Sequence, residues 1–222
     1  MNKATGNMYE GWVTHTWNPL NGECSHRCPY CFVKNTPAGR MGFYSGPLRL
    51  NDRAMQEGLG KGRKIFVVDL NDLFAAPVPD GWIRAILERC HNFGHNEYIF
   101  QTKNPLRYLR LPLPFPPRTI IGTTIESDMM PASVVGDRIF AMRAARDCAW
   151  QTFITIEPIQ KFSMFFADTI LSAKPSFVNI GADSKNSGLP EPTGDEVRKL
   201  IADLRAAGIE VREKPNLKRI MK

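Results

Sequence analysis

The sequence lacks long apolar runs. Within its 222 residues no stretch approaches the ~20 apolar residues of a membrane-spanning helix, and residues 1–12 contain no apolar core of a signal peptide. Gly and Pro, at 17 residues each, and charged residues, at 23%, fall short of collagen-like and disordered compositions. We therefore expect a cytoplasmic protein with no membrane partner, folded as a single domain over residues 1–222.

Acidic residues are fewer than basic ones, 22 against 29, and the excess of +7 is concentrated in two places. Residues 61–64 contain three basic side chains. Residues 212–222, the basic C-terminal segment, contain five basic side chains and one acidic side chain. Such segments can bind phosphate groups or lie in solvent. The modest total charge favours solvent and leaves nucleic acid as an open partner.

Cysteine is scarce except in one segment. Three of the 5 cysteines fall within eight residues: Cys24, Cys28 and Cys31. Without a signal peptide a disulfide framework is not expected, so this grouping indicates metal ligation or redox chemistry. Structural zinc usually takes four ligands, and His26, inside the first spacer, could be the fourth only with strained geometry. An iron–sulfur cluster held by three thiolates fits better, because one iron then stays open for a ligand that is not protein.

Strand and helix patterns alternate along the chain. Seven strands are predicted, at residues 12–17, 64–70, 97–102, 119–126, 152–157, 177–181 and 210–213. Helices are predicted at residues 52–58, 80–92, 105–110, 136–147, 163–173 and 194–207. This alternation indicates an α/β fold with a parallel sheet and right-handed crossovers. Because an eight-unit barrel takes ~250 residues, we expect a partial (β/α)6-7 TIM-type barrel.

Polar side chains stand at or just past the carboxyl ends of five predicted strands. They are Asp69 and Asn71, Gln101 and Lys103, Thr124 and Glu126, Thr155 and Glu157, and Asn179 and Asp183. In parallel α/β folds this edge of the sheet is where ligands bind. Some of these side chains could instead cap the helices that follow. Their recurrence after five strands predicts a polar cavity.

The cysteine spacing, with Tyr30 directly before the last cysteine, follows the first strand of the predicted barrel. In spacing and location it resembles the radical S-adenosylmethionine (SAM) superfamily. Further residues resemble the phage-associated three-cysteine-motif family of that superfamily: 16–22, 71–74, 101–105, 122–126 and 156–159. Residues 28–33 are locally similar to the spore photoproduct lyase group. The usual Gly-Gly-Glu motif is absent after the second strand, where Asp69, Asn71 or Asp72 would have to replace its acceptors.

The resemblance implies a cluster loop at residues 18–34, in which the three cysteines hold a [4Fe-4S] cluster. Its open iron would bind SAM, and reductive cleavage would give a 5′-deoxyadenosyl radical that abstracts hydrogen from the substrate. A flavodoxin- or ferredoxin-like protein would donate the electron. The implied cofactor contacts are Tyr30, Asn71, Asp72, Thr124, Glu126, Glu157, Gly181 and Asp183. We expect His15, Gln101 and Lys103 to reach the substrate as catalytic residues, and Lys214 to add a positive charge.

The substrate stays open at this point. The basic segments and the phage association favour a nucleotide or a nucleic-acid base, and a peptide or partner protein is the alternative. Cys90 or Cys148 could donate a hydrogen atom to the substrate, although isolated cysteines are commonly small core residues. Outside this enzyme class, an electron-transfer protein or a non-catalytic iron–sulfur or zinc module that binds nucleic acid would use the same cysteines. The sequence does not predict an oligomeric state.

Overall fold

The computed structural model describes residues 1–4, 11–33, 36–111, 115–185 and 187–222. Residue contacts divide the chain into two compact units, Met1–Ile120 and Ile121–Lys222. The single domain and the cytoplasmic location stay predictions. Across these described ranges, no helix combines the length and apolar character needed to cross a membrane.

Parallel strands form the centre of the first unit. Its strands are β1 (Asn2–Lys3), β2 (His15–Trp17), β3 (Leu20–Asn21), β4 (Arg49–Leu50), β5 (Lys64–Val67) and β6 (Glu97–Thr102). β2 pairs in parallel with β5, and β5 in parallel with β6, while β1 adds to β2 in the antiparallel direction. β3 and β4 form a separate antiparallel ladder. Trp17 lies opposite Val67, so β2 and β5 end at the same carboxyl edge.

Helices connect the strands of the first unit. They are α1 (Pro37–Arg40), α2 (Asp52–Gln56), α3 (Asp80–Asn92) and α4 (Leu106–Arg110). α3 buries Ile83, Ile86, Leu87 and Cys90, whose spacing places them on one face of the helix. The indole N–H of Trp17 donates to the Ala54 carbonyl at 3.0 Å and so ties β2 to α2.

A strand at the division between the units, β7 (Thr119–Thr124), continues the ladder in each. In the first unit, the Tyr98 N–H donates to the Arg118 carbonyl at 2.8 Å. In the second, the Ile125 N–H donates to the Thr155 carbonyl at 3.0 Å. β8 (Gln151–Ile156), β9 (Phe177–Ile180) and β10 (Glu210–Glu213) follow, and β9 pairs in parallel with both of its neighbours.

The second unit adds α5 (Ala132–Asp147), α6 (Phe166–Ser172), α7 (Gly194–Ala206) and a 3-10 helix at Pro215–Arg219. α7 begins with a capping box, in which the Thr193 hydroxyl accepts from the Glu196 N–H and the Glu196 carboxylate accepts from the Thr193 N–H. The helix ends at Ala206, two residues before Gly208, whose φ of +83° favours glycine. Thr193 is therefore the N-cap, as predicted.

Most predicted elements are present, with shifted ends. The parallel strands and alternating helices confirm the predicted fold class. β2 begins at residue 15 instead of 12, and β5 ends at Val67 because Val68 has a φ of 60°. α5 begins at Ala132, four residues before its predicted start. The short elements β1, β3, β4, α1 and the 3-10 helix were not predicted.

Candidate functional site

The predicted cluster loop spans residues 18–34, of which residue 34 lies outside the described residues. Two turns shape it. The Arg27 N–H donates to the Cys24 carbonyl at 3.3 Å, and the Cys31 N–H donates to the Cys28 carbonyl at 3.1 Å. All five cysteines of the chain have free thiols, and the three in this loop are half-buried. The loop therefore gathers three free thiols beyond the carboxyl end of β2.

The three thiols lie close enough to interact electrostatically. Burial, with smaller contributions from the nearby charges of Asp72, Cys28 and Cys31, raises the pKa of the Cys24 thiol to about 11, although a hydrogen bond from the His26 backbone opposes the shift. A thiol in this setting stays protonated unless a cation is close, and coordination to a metal deprotonates it. A metal group bound here would therefore have to displace the proton of Cys24.

The three thiols form a donor set that could hold an iron–sulfur cluster. Among the described residues, no three His, Cys, Asp or Glu side chains converge on one position where a metal ion could bind. In a [4Fe-4S] cluster each cysteine binds a different iron, so the thiolates do not need to converge on one point. Three free thiols on one loop therefore match a cluster with one open iron.

Asp72, in the turn after β5, is the centre of a hydrogen-bond network. Its Oδ1 accepts from the Thr102 hydroxyl at 2.7 Å and from the Phe74 N–H at 2.9 Å. Its Oδ2 accepts from His26 Nε2 at 2.7 Å and from the Lys103 N–H at 2.9 Å. Burial opposes ionisation of this carboxyl, but the hydrogen bonds from His26, Thr102 and Lys103 outweigh it and hold the pKa of Asp72 below its usual value.

Neighbouring side chains tie the same turn to the residues before the first cysteine. The Asn18 amide donates to Asp69 Oδ1 at 2.6 Å, and its carbonyl oxygen accepts from the Leu70 N–H at 3.2 Å. The Asn71 amide donates to the Gly22 carbonyl at 2.9 Å. Residues 69–72, which stand in place of the Gly-Gly-Glu motif, therefore contact residues 18–26 at several points.

Lys103 and Tyr30, predicted as a catalytic residue and a cofactor contact, meet each other. The Lys103 ammonium lies 4.8 Å from the centroid of the Tyr30 ring and contacts the phenol oxygen. Because Tyr30 stands between Cys28 and Cys31, this contact places a positive charge beside the cysteine loop. Gln101 is half-buried in β6, two residues before Lys103.

His15 lies apart from these residues. It is the first residue of β2 and lies opposite Ile65, next to the start of β5, at the amino edge of the parallel ladder. Burial lowers the pKa of His15, and the positive charges of Arg63 and Lys3 lower it further. His15 therefore lies at the amino end of its strand, whose carboxyl end is Trp17, and its catalytic role stays a prediction.

Glu126 follows β7 in the second unit and forms a buried ion pair. Its Oε2 accepts from the Arg138 guanidinium at 3.0 Å, and the side chains are 4% and 9% exposed, respectively. Arg138 also donates to the Thr124 carbonyl at 2.7 Å. Arg138 of α5 thus contacts both predicted cofactor contacts at the end of β7, through the Thr124 carbonyl and the Glu126 side chain.

Glu157 and Lys214 form a second ion pair, at the ends of β8 and β10. Both pack over Gly181, where a Cβ atom would lie 2.7 Å from Glu157 Oε1 and 2.8 Å from Lys214 Cδ. A larger residue at this position would displace the ends of these two side chains. Burial lowers the pKa of Lys214, although the charge of Glu157 opposes the shift. The lysine is therefore a desolvated cation with one carboxylate as its neighbour.

Two further polar residues of the second unit form hydrogen bonds near the carboxyl ends of β8 and β9. The Asn179 amide donates to the Thr155 hydroxyl at 3.3 Å. Asp183 accepts hydrogen bonds from the backbone N–H groups of Lys185 and Ser187. Burial disfavours ionisation of Asp183, but these hydrogen bonds outweigh it and hold its pKa below the usual value. Asp183 therefore shapes the loop after β9.

The basic C-terminal segment is largely paired within the second unit. Arg212 pairs with Glu210, Lys214 with Glu157, and Arg219 with Glu191. Three of the five basic side chains of the segment therefore form ion pairs. Of the isolated cysteines, Cys90 is buried in α3 and Cys148 is exposed at the end of α5.

The sequence did not predict two partners in these networks. His26 was considered only as a zinc ligand, and its contact with Asp72 depends on residues 46 positions apart. Arg138 had a usable signal, because it lies on the buried stripe of α5 with Val135, Met142 and Ala145. An arginine in such a stripe indicates a buried acidic partner.

Comparison with solved structures finds spore photoproduct lyase. A cysteine-to-serine mutant of that enzyme has a TM-score of 0.59 and 11% identity, over 95% of this chain and 79% of that chain. A mutant with bound AdoMet and dinucleoside spore photoproduct has a TM-score of 0.53 and 12% identity, over 88% and 62%. A complex with dinucleoside spore photoproduct has a TM-score of 0.54 and 12% identity, over 87% and 74%. This likeness shows the fold and agrees with the predicted partial barrel.

Comparison with curated proteins gives no match. One protein family matches residues 9–164, and its description is "Protein of unknown function (DUF5131)". The match covers well over half of the chain. The chain therefore belongs to the DUF5131 family of proteins of unknown function.

Proposed function

We propose that this chain is a radical SAM enzyme, in which Cys24, Cys28 and Cys31 hold a [4Fe-4S] cluster with an open iron for SAM. When bound, these groups supply reductive cleavage of SAM and a 5′-deoxyadenosyl radical that abstracts hydrogen from the substrate. The observation that carries the proposal is the set of three free, half-buried thiols on one loop beyond the carboxyl end of β2. The fold shared with spore photoproduct lyase supports it.

The side chains of the chain itself would bind and orient the cofactor. Tyr30, whose ring lies beside the Lys103 ammonium, is one proposed cofactor contact. The further proposed cofactor contacts are Asn71, Thr124, Glu126, Glu157, Gly181 and Asp183. A flavodoxin- or ferredoxin-like electron donor and kinship with the phage-associated three-cysteine family also remain proposals.

We further propose that the substrate is a nucleotide or a nucleic-acid base, with Gln101 and Lys103 as the residues that reach it. Spore photoproduct lyase has been solved with a dinucleoside spore photoproduct, and this chain shares its fold. An amide and an ammonium suit a base edge and a phosphate group, respectively. A hydrogen-donor role for Cys148, which is exposed, would need the same substrate.

Anaerobic reconstitution with iron and sulfide, followed by dithionite and SAM, tests the reaction. We expect 5′-deoxyadenosine to form. Cys24→Ala, Cys28→Ala and Cys31→Ala should each abolish both the cluster and the product, whereas the matched controls Cys90→Ala and Cys148→Ala should keep the cluster. Full iron content in any of the first three variants would reject the ligand assignment. A cluster without SAM cleavage would favour electron transfer, and zinc in place of iron would favour the binding module.

Deuterium transfer tests the substrate class. Deuterated oligonucleotides and deuterated peptides are each incubated with the reconstituted protein, SAM and dithionite. Abstraction from a nucleotide moves deuterium into 5′-deoxyadenosine only with the oligonucleotides. Transfer only from the peptides would reject the nucleotide and support the alternative substrate. Lys103→Met should reduce transfer from oligonucleotides while leaving iron content unchanged.

Glu126→Gln tests the proposed cofactor contact with little change in side-chain volume. Arg138 keeps a hydrogen-bond partner in this variant, so the fold should be preserved better than in Glu126→Ala. We expect weaker binding of SAM to the reconstituted protein, measured by equilibrium dialysis, with unchanged iron content. Unchanged affinity would remove Glu126 from the set of cofactor contacts.

A further inference from the structure

Residues 69–72 form a set of contacts with the cysteine loop that the resemblance does not imply. Three side chains of this turn, Asp69, Asn71 and Asp72, bond to Asn18, Gly22 and His26. We call this set of six residues the Asp72 clamp. The contacts run along the loop from its first residue to the spacer between Cys24 and Cys28. The clamp thus restrains the segment in which the cysteine ligands begin.

The carboxylate of Asp72 has no acceptor site left for a ligand. A carboxylate offers about four lone-pair positions. In Asp72 each oxygen already accepts two hydrogen bonds, from Thr102 and Phe74 on one and from His26 and Lys103 on the other. An amino group of SAM would have to displace one of these donors, and two of them are backbone N–H groups. Asp72 is therefore poorly suited to the cofactor contact that the sequence suggested.

The same four donors show what the carboxylate connects. Thr102 and Lys103 belong to the end of β6, Phe74 to the turn after β5, and His26 to the cysteine loop. With a side-chain exposure of 9%, Asp72 is shielded from water, and its partner His26 is 24% exposed. One ionised group thus joins the loop to two rigid strand ends. Because the carboxylate only accepts, His26 Nε2 donates in this pair.

We propose that Asp72 is a positioning residue, which acts through His26 to hold the cysteine loop in its ligand arrangement before the cluster binds. The inference rests on the proposed function for the identity of the bound group. The hydrogen bonds that hold the loop are present in the metal-free chain. A loop that is already ordered loses less conformational entropy when it binds a metal group, so affinity rises. Groups that orient metal ligands in this way strongly affect affinity.

Alkylation of the metal-free protein by iodoacetamide tests whether Asp72 and His26 restrain the cysteine loop. The rate at each cysteine is followed by peptide mass spectrometry under native conditions. Cys148, which is exposed, and Cys90, which is buried, serve as fast and slow internal references. The variants are Asp72→Asn and His26→Ala, and Asp52→Asn, on the exposed first turn of α2, is the matched control.

In both test variants we expect Cys24 to react about tenfold faster, because a charge-assisted hydrogen bond that keeps the loop closed is lost. Asp72→Asn also removes a negative charge near Cys24, so His26→Ala, which keeps that charge, isolates the loss of the hydrogen bond. Cys90 should stay slow, which shows that the fold is intact, and Asp52→Asn should match the wild type. An unchanged rate at Cys24 with Cys90 still slow would overturn the proposal. If Asp72→Asn also exposes Cys90, the His26→Ala result decides, since Asp72 there keeps three of its donors.

Reconstitution gives the second readout. Both variants retain all three cysteines, so they should still bind iron, but they should release it to a chelator about 10- to 100-fold faster than the wild type. Equal release rates would overturn the positioning role. If the wild type binds no iron, the proposed function fails, while the alkylation pattern still decides whether Asp72 holds the loop.

Discussion

Both units have buried carboxylates at the carboxyl ends of their strands, but the two units stabilise these groups differently. In the first unit, Asp72 accepts four hydrogen bonds, from a hydroxyl, an imidazole and two backbone N–H groups. In the second unit, the buried Glu126 pairs with Arg138, and the half-buried Glu157 pairs with Lys214. Many short donors fix a carboxylate relative to several segments, whereas a single cation mainly balances its charge.

This difference determines how each region should respond to mutation. Loss of one donor from Asp72 leaves three others in place. Loss of the cation from a buried ion pair leaves a carboxylate with its charge uncompensated. The burial of the surviving carboxylate then decides the size of the effect, and Glu126 is far more buried than Glu157, at 4% against 20% side-chain exposure.

The largest effect is expected from Arg138→Met. The variant keeps much of the side-chain volume but leaves the Glu126 carboxylate buried without its cation, so the free energy of unfolding should fall by about 3–5 kcal/mol. Urea denaturation followed by circular dichroism measures this loss. The double variant Glu126→Leu/Arg138→Met should recover much of the stability, because no buried charge remains. A loss below about 1 kcal/mol in the single variant would show that water reaches Glu126.

A smaller effect is expected from Thr102→Val, which keeps the shape of the side chain but removes one donor from Asp72 and the acceptor of the Asn104 N–H. Loss of a hydrogen bond to a charged group should lower the free energy of unfolding by about 1.5–3 kcal/mol. Thr152→Val is the matched control, because the buried Thr152 hydroxyl has no hydrogen-bond partner among the described residues. Thr152→Val should leave the free energy of unfolding unchanged or raise it. Equal losses in the two variants would mean that the clamp does not depend on the hydroxyl.

The third prediction concerns an exposed carboxylate, Glu196, at the start of α7. Hydrogen bonds from Lys161 and from the Thr193 N–H lower its pKa to about 2, so its stabilising effect is present above 4.5 and is lost as the pH falls towards 2. Thr193→Ala should lower the free energy of unfolding by about 1 kcal/mol at neutral pH. Denaturant titrations of wild type and variant at several pH values measure both effects. If Glu196→Gln loses as much stability at acid pH as the wild type, the loss does not come from protonation of Glu196.

The sequence predicted elements whose signal is local. α3 has the predicted bounds, since its apolar spacing and its start and end signals lie within thirteen residues. β6 and β10 also have their predicted ends. The two-residue strands β3 and β4 were missed, because each exists only through pairing with a partner almost thirty positions away. The start of β2, and with it the place of His15, likewise depends on pairing with β5.

The candidate site shows the same division. The cysteine spacing was sufficient to predict three thiols on one loop after the first parallel strand. The role of residues 69–72 was not predictable, because hydrogen bonds between this turn and residues 18–26 follow from tertiary packing. The sequence predicted which polar residues stand at the strand ends, but it did not predict the residues with which they form hydrogen bonds or ion pairs. Sequence therefore located the charged groups, and the structure shows which donors stabilise each one.

The smallest effect at neutral pH is expected from Lys214→Met. Removing this buried ammonium relieves its desolvation, and Glu157 is exposed enough to be hydrated, so stability should change by about 1 kcal/mol or less.

The pH dependence of the stability difference between Lys214→Met and the wild type is the sharper readout. Burial holds the pKa of Lys214 below 10.5, so between that lowered pKa and 10.5 the unfolded chain binds more protons than the folded chain. This group therefore makes the wild type more stable as the pH rises through the window, and the variant lacks the gain. Denaturant titrations of both proteins, from neutral pH towards 10.5, should show their difference moving in favour of the wild type. A constant difference would mean that the attraction of Glu157 offsets the desolvation of Lys214, so that its pKa is not lowered.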